Sequence, residues 1–210
     1  MAKDVGDLLQ SIYTWGIQDK IIHDGAVRKS PFQVGETITG STSGATAVID
    51  TVGKYHLKYT LSTALQFRVN ETITGATSGA TCTSWKINQL HTSIEDRLYF
   101  QEAPEEPIPE LFPYVVYEII GSTSYHYLES SLQGVNAYEK YLVSFFIYSN
   151  ESSSQQITLL NKQLGDLYDK AELSISNWTF KYSKRNETGI PRRDMDKIWT
   201  CVSDFEFVIQ

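Results

Sequence analysis

Side chains able to act as nucleophiles, bases or metal ligands are few in this chain and widely scattered. His23, His56, His91 and His126 fall in separate segments, and none has a second His, Cys or carboxylate at metal-ligand spacing, so each reads as an ordinary surface or loop residue. Cys82 and Cys201 stand far apart with no Cys-x-x-Cys partner and read as free thiols. No Gly-x-Ser-x-Gly elbow and no Walker loop occurs. The acidic pairs Glu95–Asp96 and Glu105–Glu106 are sequence neighbours, whereas a glycosidase needs two carboxylates held apart across a cleft. The expectation is a non-enzymatic protein with no catalytic residue, no cofactor and no metal.

Charge is better organised. Glu95, Asp96, Glu102, Glu105, Glu106 and Glu110 crowd one segment with Arg97 as its only base, while Lys181, Lys184, Arg185, Arg192, Arg193 and Lys197 crowd another against Glu187, Asp194 and Asp196. Two solvated loops would look like this. So would the two halves of a contact between neighbouring subunits, for which Glu102, Glu105, Glu106, Glu110, Lys184, Arg185, Arg192 and Arg193 are the candidate residues. With 18 Lys plus Arg against 25 Asp plus Glu, the net charge of −7 argues against a grip on nucleic acid by phosphate neutralisation. The longest apolar runs, Phe112–Ile120 and Tyr141–Tyr148, are too short for a membrane helix. The start, Met-Ala-Lys-Asp-Val-Gly-Asp, has no hydrophobic signal core, so a host cytoplasm is the expected place of synthesis.

The elements that must position these charges follow from periodicity. Val5, Leu8, Leu9, Ile12, Trp15, Ile21 and Ile22 recur at helical spacing and predict an amphipathic first helix. Pro104, Pro107, Pro109 and Pro113 exclude helix from the acidic segment. Tyr114–Ile120 then reads as a founding strand buried on both faces, with Tyr138–Tyr148 as a second strand. A serine-capped helix is predicted over Gln155–Leu173. Trp178–Tyr182, with Trp178, Phe180 and Tyr182 on one face, and Ile198–Ile209 are closing strands around a charged turn at Lys184–Asp196. This order predicts an α+β fold, one mixed or antiparallel sheet with two helices packed on a face, assigned to residues 1–28 and 88–210.

Residues 29–87 read as an inserted small all-β module, a barrel or a sandwich. Phe32–Thr46 recurs as Phe67–Thr81 with twelve of fifteen positions identical. Each copy holds a Thr/Ile strand, Glu36–Thr39 or Glu71–Thr74, running into a glycine-rich turn, and Tyr55–Leu61 supplies a strand between copies. Gly40, Gly44, Gly75 and Gly79 can supply positive φ. Phe32 and Val34, and likewise Phe67 and Val69, alternate with polar residues and are expected to face a shared core. A phosphate cradle is a poor fit, because no lysine follows the last glycine and neither copy opens a helix. Plain turn chemistry and a sugar- or receptor-contacting surface stay open.

The repeat resembles a Gly-Glu-Thr-Ile-Thr-Gly-x-Thr-Ser-Gly-Ala-Thr motif found in structural proteins of tailed bacteriophages. The remainder, through Arg97-Leu-Tyr-Phe-Gln-Glu-Ala-Pro, Pro113-Tyr-Val-Val-Tyr and the element order, is similar to the tail-terminator or tail-completion proteins of long-tailed phages. That resemblance implies a virion protein that forms a ring, a hexamer in the family, capping the tail tube and joining it to the head connector. Its partners would be further copies of itself, the tail tube protein and a neck protein, with DNA passing through the lumen without specific binding and no membrane involved. A neck connector or stopper, and a carbohydrate- or receptor-binding virion protein acting through the β module, are the alternatives.

Overall fold

The computed structural model describes residues 5–23, 25–95, 97–103, 112–125, 138–169, 171–176 and 178–210. The chain divides into two compact units, Met1–Ile17 with Leu90–Gln210, and Gln18–Gln89.

Helix α1 (Val5–Gly16) buries Leu8, Ile12 and Trp15, a stripe one helical turn apart per step. It ends before Ile21 and Ile22, which belong to strand β1 (Lys20–His23). The helical expectation for these two residues is corrected, because two adjacent β-branched side chains suit a strand. Strand β1 pairs on one side with β4 (His56–Leu61) and on the other with β6 (Thr81–Asn88), closing a barrel.

That barrel is the second unit. Strands β1, β2 (Thr37–Gly40), β3 (Thr46–Val52), β4 (His56–Leu61), β5 (Thr72–Gly75) and β6 (Thr81–Asn88) close in the order β1-β4-β3-β2-β5-β6, each neighbour antiparallel. Of the two shapes the sequence left open, the closed barrel is the one formed, and closure leaves no edge strand. The repeats supply its core in matched pairs: Phe32 and Phe67, Ile38 and Ile73, Ala45 and Ala80, Ala47 and Cys82. Val34 and Val69 do not join them, being 67% and 53% exposed. Each precedes a residue with positive φ, Gly35 at 82° or Asn70 at 64°, and that turn ends the alternation on which the expectation rested.

In the first unit, helix α2 (Leu90–Ile94) leads to a sheet built from β7 (Leu98–Phe100), β8 (Tyr114–Tyr125), β9 (Tyr138–Ser149), β10 (Phe180–Thr188), β11 (Arg192–Arg193) and β12 (Trp199–Ile209), in the order β10-β12-β9-β8-β7, with β11 also on β12. All pairs are antiparallel except β7–β8. Helix α3 (Gln155–Tyr168) buries Ile157, Leu160, Leu164, Leu167 and Tyr168 against one face, where Val143, Phe145, Ile147, Phe205, Phe207 and Ile209 meet it. The fold is therefore α+β with an inserted β module.

Four local expectations change. Ser154 precedes α3 but makes no side-chain cap; its carbonyl accepts instead from the Thr158 amide at 3.1 Å and hydroxyl at 2.7 Å. The helix stops at Tyr168, short of Leu173, and Ser183 Oγ closes its end by donating to the Tyr168 carbonyl at 2.5 Å and accepting from the Ala171 amide at 2.8 Å. The charged turn is largely strand, since Lys184 and Arg185 lie in β10 and Arg192 and Arg193 form β11. A shift of register between Phe180 and Tyr182 turns Tyr182 to the helix-free face, where it is 46% exposed, so it does not share a face with buried Trp178.

Candidate functional site

The most reactive-looking piece of sequence, the repeated glycine-rich turn, does hold an anion, and the anion is the protein's own. Glu36 reaches across to the second copy and accepts from the amides of Thr77 (3.2 Å) and Ser78 (2.9 Å) and from Ser78 Oγ (2.8 Å). Glu71 does the same to the first copy, accepting from Thr42 N (3.0 Å), Ser43 N (2.9 Å) and Ser43 Oγ (2.9 Å). Each carboxylate also takes one amide from its own copy, Gln33 at 2.7 Å or Arg68 at 2.6 Å. The exchange follows from the β2–β5 ladder, whose register, Ile38↔Gly75, Thr39↔Thr74 and Gly40↔Ile73, is two-fold symmetric. Burial pushes both carboxyl pKa values up, but the hydrogen bonds outweigh it and hold each below its ordinary value.

The four glycines therefore split into two jobs. Gly44 (φ 68°) and Gly79 (φ 65°) make the left-handed turn residue, as expected. Gly40 and Gly75 do not adopt positive φ; they make room, since a Cβ on Gly40 would lie 2.7 Å from the Glu71 carboxylate and one on Gly75 2.6 Å from Glu36 Oε2. Gly40→Ala and Gly75→Ala are accordingly expected to lower the barrel's stability more, by about 3 kcal/mol through loss of the clasp, than Gly44→Ala and Gly79→Ala at about 1–2 kcal/mol of backbone strain. Thermal melts of the four variants give the order, and the reverse order would show that the carboxylates do not hold the turns.

The charged interface candidates sit on the sheet. Strands β10 and β11 both flank β12, so Lys184, Arg185, Arg192 and Arg193 line one edge. Glu102 is exposed just beyond β7, the strand at the other edge. Four strand spacings separate the edges, about 19 Å. Glu105, Glu106 and Glu110 lie outside the described residues. Lys184, Arg192 and Arg193 are exposed, Arg193 with its guanidinium 5.7 Å from the Trp199 ring centre. Arg185 is different: it donates to the Asn161 carbonyl at 3.0 Å and to Thr188 Oγ1 at 3.2 Å, and stands 5.4 Å from the Phe205 ring centre. It fills the space over Gly165 of α3, where a Cβ would overlap it, and so acts within the subunit.

Among the described residues, two recesses lie on the helix-free face. One, of about 270 Å³, is lined by Gln101, Ala103, Tyr114, Glu118, Phe146 and Tyr148. Tyr114 stacks on Tyr148 at 4.7 Å, with Phe112 at 5.2 Å from Tyr114. The other, about 420 Å³, lies at the opposite end of the strands, among Tyr125, Tyr138, Tyr182, Lys140, Lys181 and Glu206. Here Glu206 binds Lys140 at 2.6 Å and accepts from Tyr182 Oη at 2.9 Å. This recess has no signature in the sequence, because it draws on four separated stretches and on the bulge that turns Tyr182 outward.

Two histidines are also misplaced by the sequence reading. His23 and His56 are buried, 1% and 7% exposed, on the paired strands β1 and β4, and the buried Lys20 shares β1 with His23. Burial first, then the charges of Lys58, Lys20 and His23, pushes His56 down to about 4. His91 lies on α2, and His126 is outside the described residues. Cys82 and Cys201 are both buried free thiols. Among the described residues no helix is long and apolar enough to cross a membrane.

No family model matches the chain, and no curated protein does. Among solved structures, a chain from the virion of a native gene transfer agent particle is similar, with a TM-score of 0.48 and 12% identity over 57% of this chain and 83% of that one.

Proposed function

We propose that this protein is a non-enzymatic structural subunit of a tailed virion that closes head to tail into a ring, in the position of a tail terminator between the tail tube and the head connector. The observation that carries the reading is the placement of opposite charge on opposite edges of one sheet, Lys184, Arg192 and Arg193 beyond β12 and Glu102 beyond β7. Head-to-tail contacts need two different, complementary patches on each subunit, and a fixed rotation between neighbours closes them into a ring. The resemblance of the Pro113-Tyr-Val-Val-Tyr stretch and the element order to tail terminators supports the same position, with a neck connector as the neighbouring role. Glycan binding through the repeat turns fits less well, since the Thr42, Ser43, Thr77 and Ser78 amides are already engaged by Glu71 and Glu36.

Negative-stain imaging of the purified protein, with and without tail tube protein, tests the proposal. Rings seated on tube ends are expected, and a monomer at every concentration and with every tube preparation would sink it. Reversing both exposed arginines, Arg192→Glu with Arg193→Glu, is expected to weaken assembly about tenfold, and molar salt to do likewise as the screening length falls to about 3 Å. Light scattering of the eluted species reads both effects. The lumen of a passive conduit should not hold DNA, so no binding of double-stranded DNA is expected near physiological salt in an anisotropy titration.

A further inference from the structure

We infer that the recess among Tyr125, Tyr138, Tyr182 and Lys181 is a docking site for a proline-rich acidic segment, residues 104–111, of a second copy of the chain. The inference rests on the ring reading and names the contact that would carry it. The segment reads Pro-Glu-Glu-Pro-Ile-Pro-Glu-Leu, with Pro104 and Pro107 in a Pro-x-x-Pro spacing. Such a sequence is biased to an extended, low-entropy conformation and is recognised in aromatic-lined grooves. The recess offers that lining: Tyr125 and Tyr182 are 50% and 46% exposed, and Tyr138 stands beside them.

Charge is complementary as well. Within the recess Lys140 is neutralised by Glu206 at 2.6 Å. Lys181 is ion-paired to nothing in the described structure and lies 5.9 Å from the Tyr138 ring centre, which leaves a positive charge at the wall. The segment brings Glu105, Glu106 and Glu110.

Chain length excludes the subunit's own segment. It is tethered at Ala103, which lines the smaller recess with Val116 and Glu118, and at Phe112, which packs on Tyr114 at the start of β8. The docking recess is at the Tyr125 end of the same twelve-residue strand, about 35 Å away at strand rise. Eight residues span at most about 29 Å when fully extended, and these must leave one tether and return to the other. Delivery by a neighbour is the arrangement that remains, and it places the neighbour's β7 edge, where the segment begins, against this subunit's β10 edge.

The test is a titration of full-length protein with a synthetic peptide of residues 101–113, read by calorimetry, alongside imaging of assembly. Binding is expected, weakened about tenfold by Tyr182→Ser and by Lys181→Glu, both exposed positions whose change leaves the core intact. Assembly of Lys181→Glu is expected to recover when Glu105→Lys and Glu106→Lys are added. Failure of the peptide to bind wild-type protein, or equal binding by the variants, overturns the inference. Rings that form equally well in Lys181→Glu overturn it too while leaving the ring reading intact. Absence of rings in wild-type protein removes the ring reading, and peptide binding still decides the recess.

Discussion

Glu71→Ala is expected to destabilise the barrel by about 3 kcal/mol, Glu36→Ala by a similar amount, and the double variant to leave the barrel unfolded at neutral pH. Each carboxylate accepts from four donors, three on the opposite turn and one in its own copy. Its loss strands backbone donors near the buried side of the turn, at about 1–3 kcal/mol for each one left unsatisfied and less for any that water reaches. A small domain with a total stability of about 5–15 kcal/mol does not survive both losses. The sign of the pH dependence follows. Both folded-state pKa values lie below the ordinary 4.5, so the clasp contributes its full stability above that pH and loses it as pH falls through the folded values. Glu36→Gln and Glu71→Gln should be milder at neutral pH and show a flatter loss below pH 4.5. Hydrogen exchange over 36–46 and 71–81 reads the effect locally. Protection in Glu71→Ala equal to wild type in both stretches would refute the clasp.

Tyr168→Ala is expected to cost the sheet unit about 4 kcal/mol, and Tyr168→Phe about 1 kcal/mol. Tyr168 is fully buried, with ring centres of Phe145, Phe205 and Phe207 at 4.6, 5.9 and 6.1 Å. Its hydroxyl donates to the Ile12 carbonyl at 2.8 Å, so one side chain ties α3 to the sheet and to α1. Trp15 returns the tie, its indole donating to the Leu167 carbonyl at 3.0 Å. Alanine would empty an aromatic-sized volume, whereas phenylalanine keeps the packing and removes only the bond. Denaturant unfolding of the two variants separates the contributions. Equal midpoints for Tyr168→Ala and wild type would mean that α3 does not pack as described.

Much of what depends on one element's own period was legible in the residues. The stripes of α1 and α3, the inward alternation of β12, the strands of the repeat and the left-handed Gly44 and Gly79 follow from local rules, because burying one face of a helix or strand fixes which of its own residues are apolar. What the period could not say was which distant group each polar residue would meet. Glu36 and Ser78 are 42 residues apart, Glu71 and Ser43 28, and only the symmetric β2–β5 ladder brings each carboxylate onto the other copy's turn, which also gives Gly40 and Gly75 their steric reason. Arg185 shares the charge of its neighbours in sequence, yet a glycine on a separate helix gives it an internal seat. One extra residue at Lys181 turned Tyr182 to the other face and helped to build a recess that strict alternation would have hidden. Strand order, in turn, set Lys184, Arg192 and Arg193 on the opposite edge of the sheet from Glu102. These are long-range pairings, chosen by which arrangement satisfies the most buried donors and apolar area at once, and tertiary structure alone decided them.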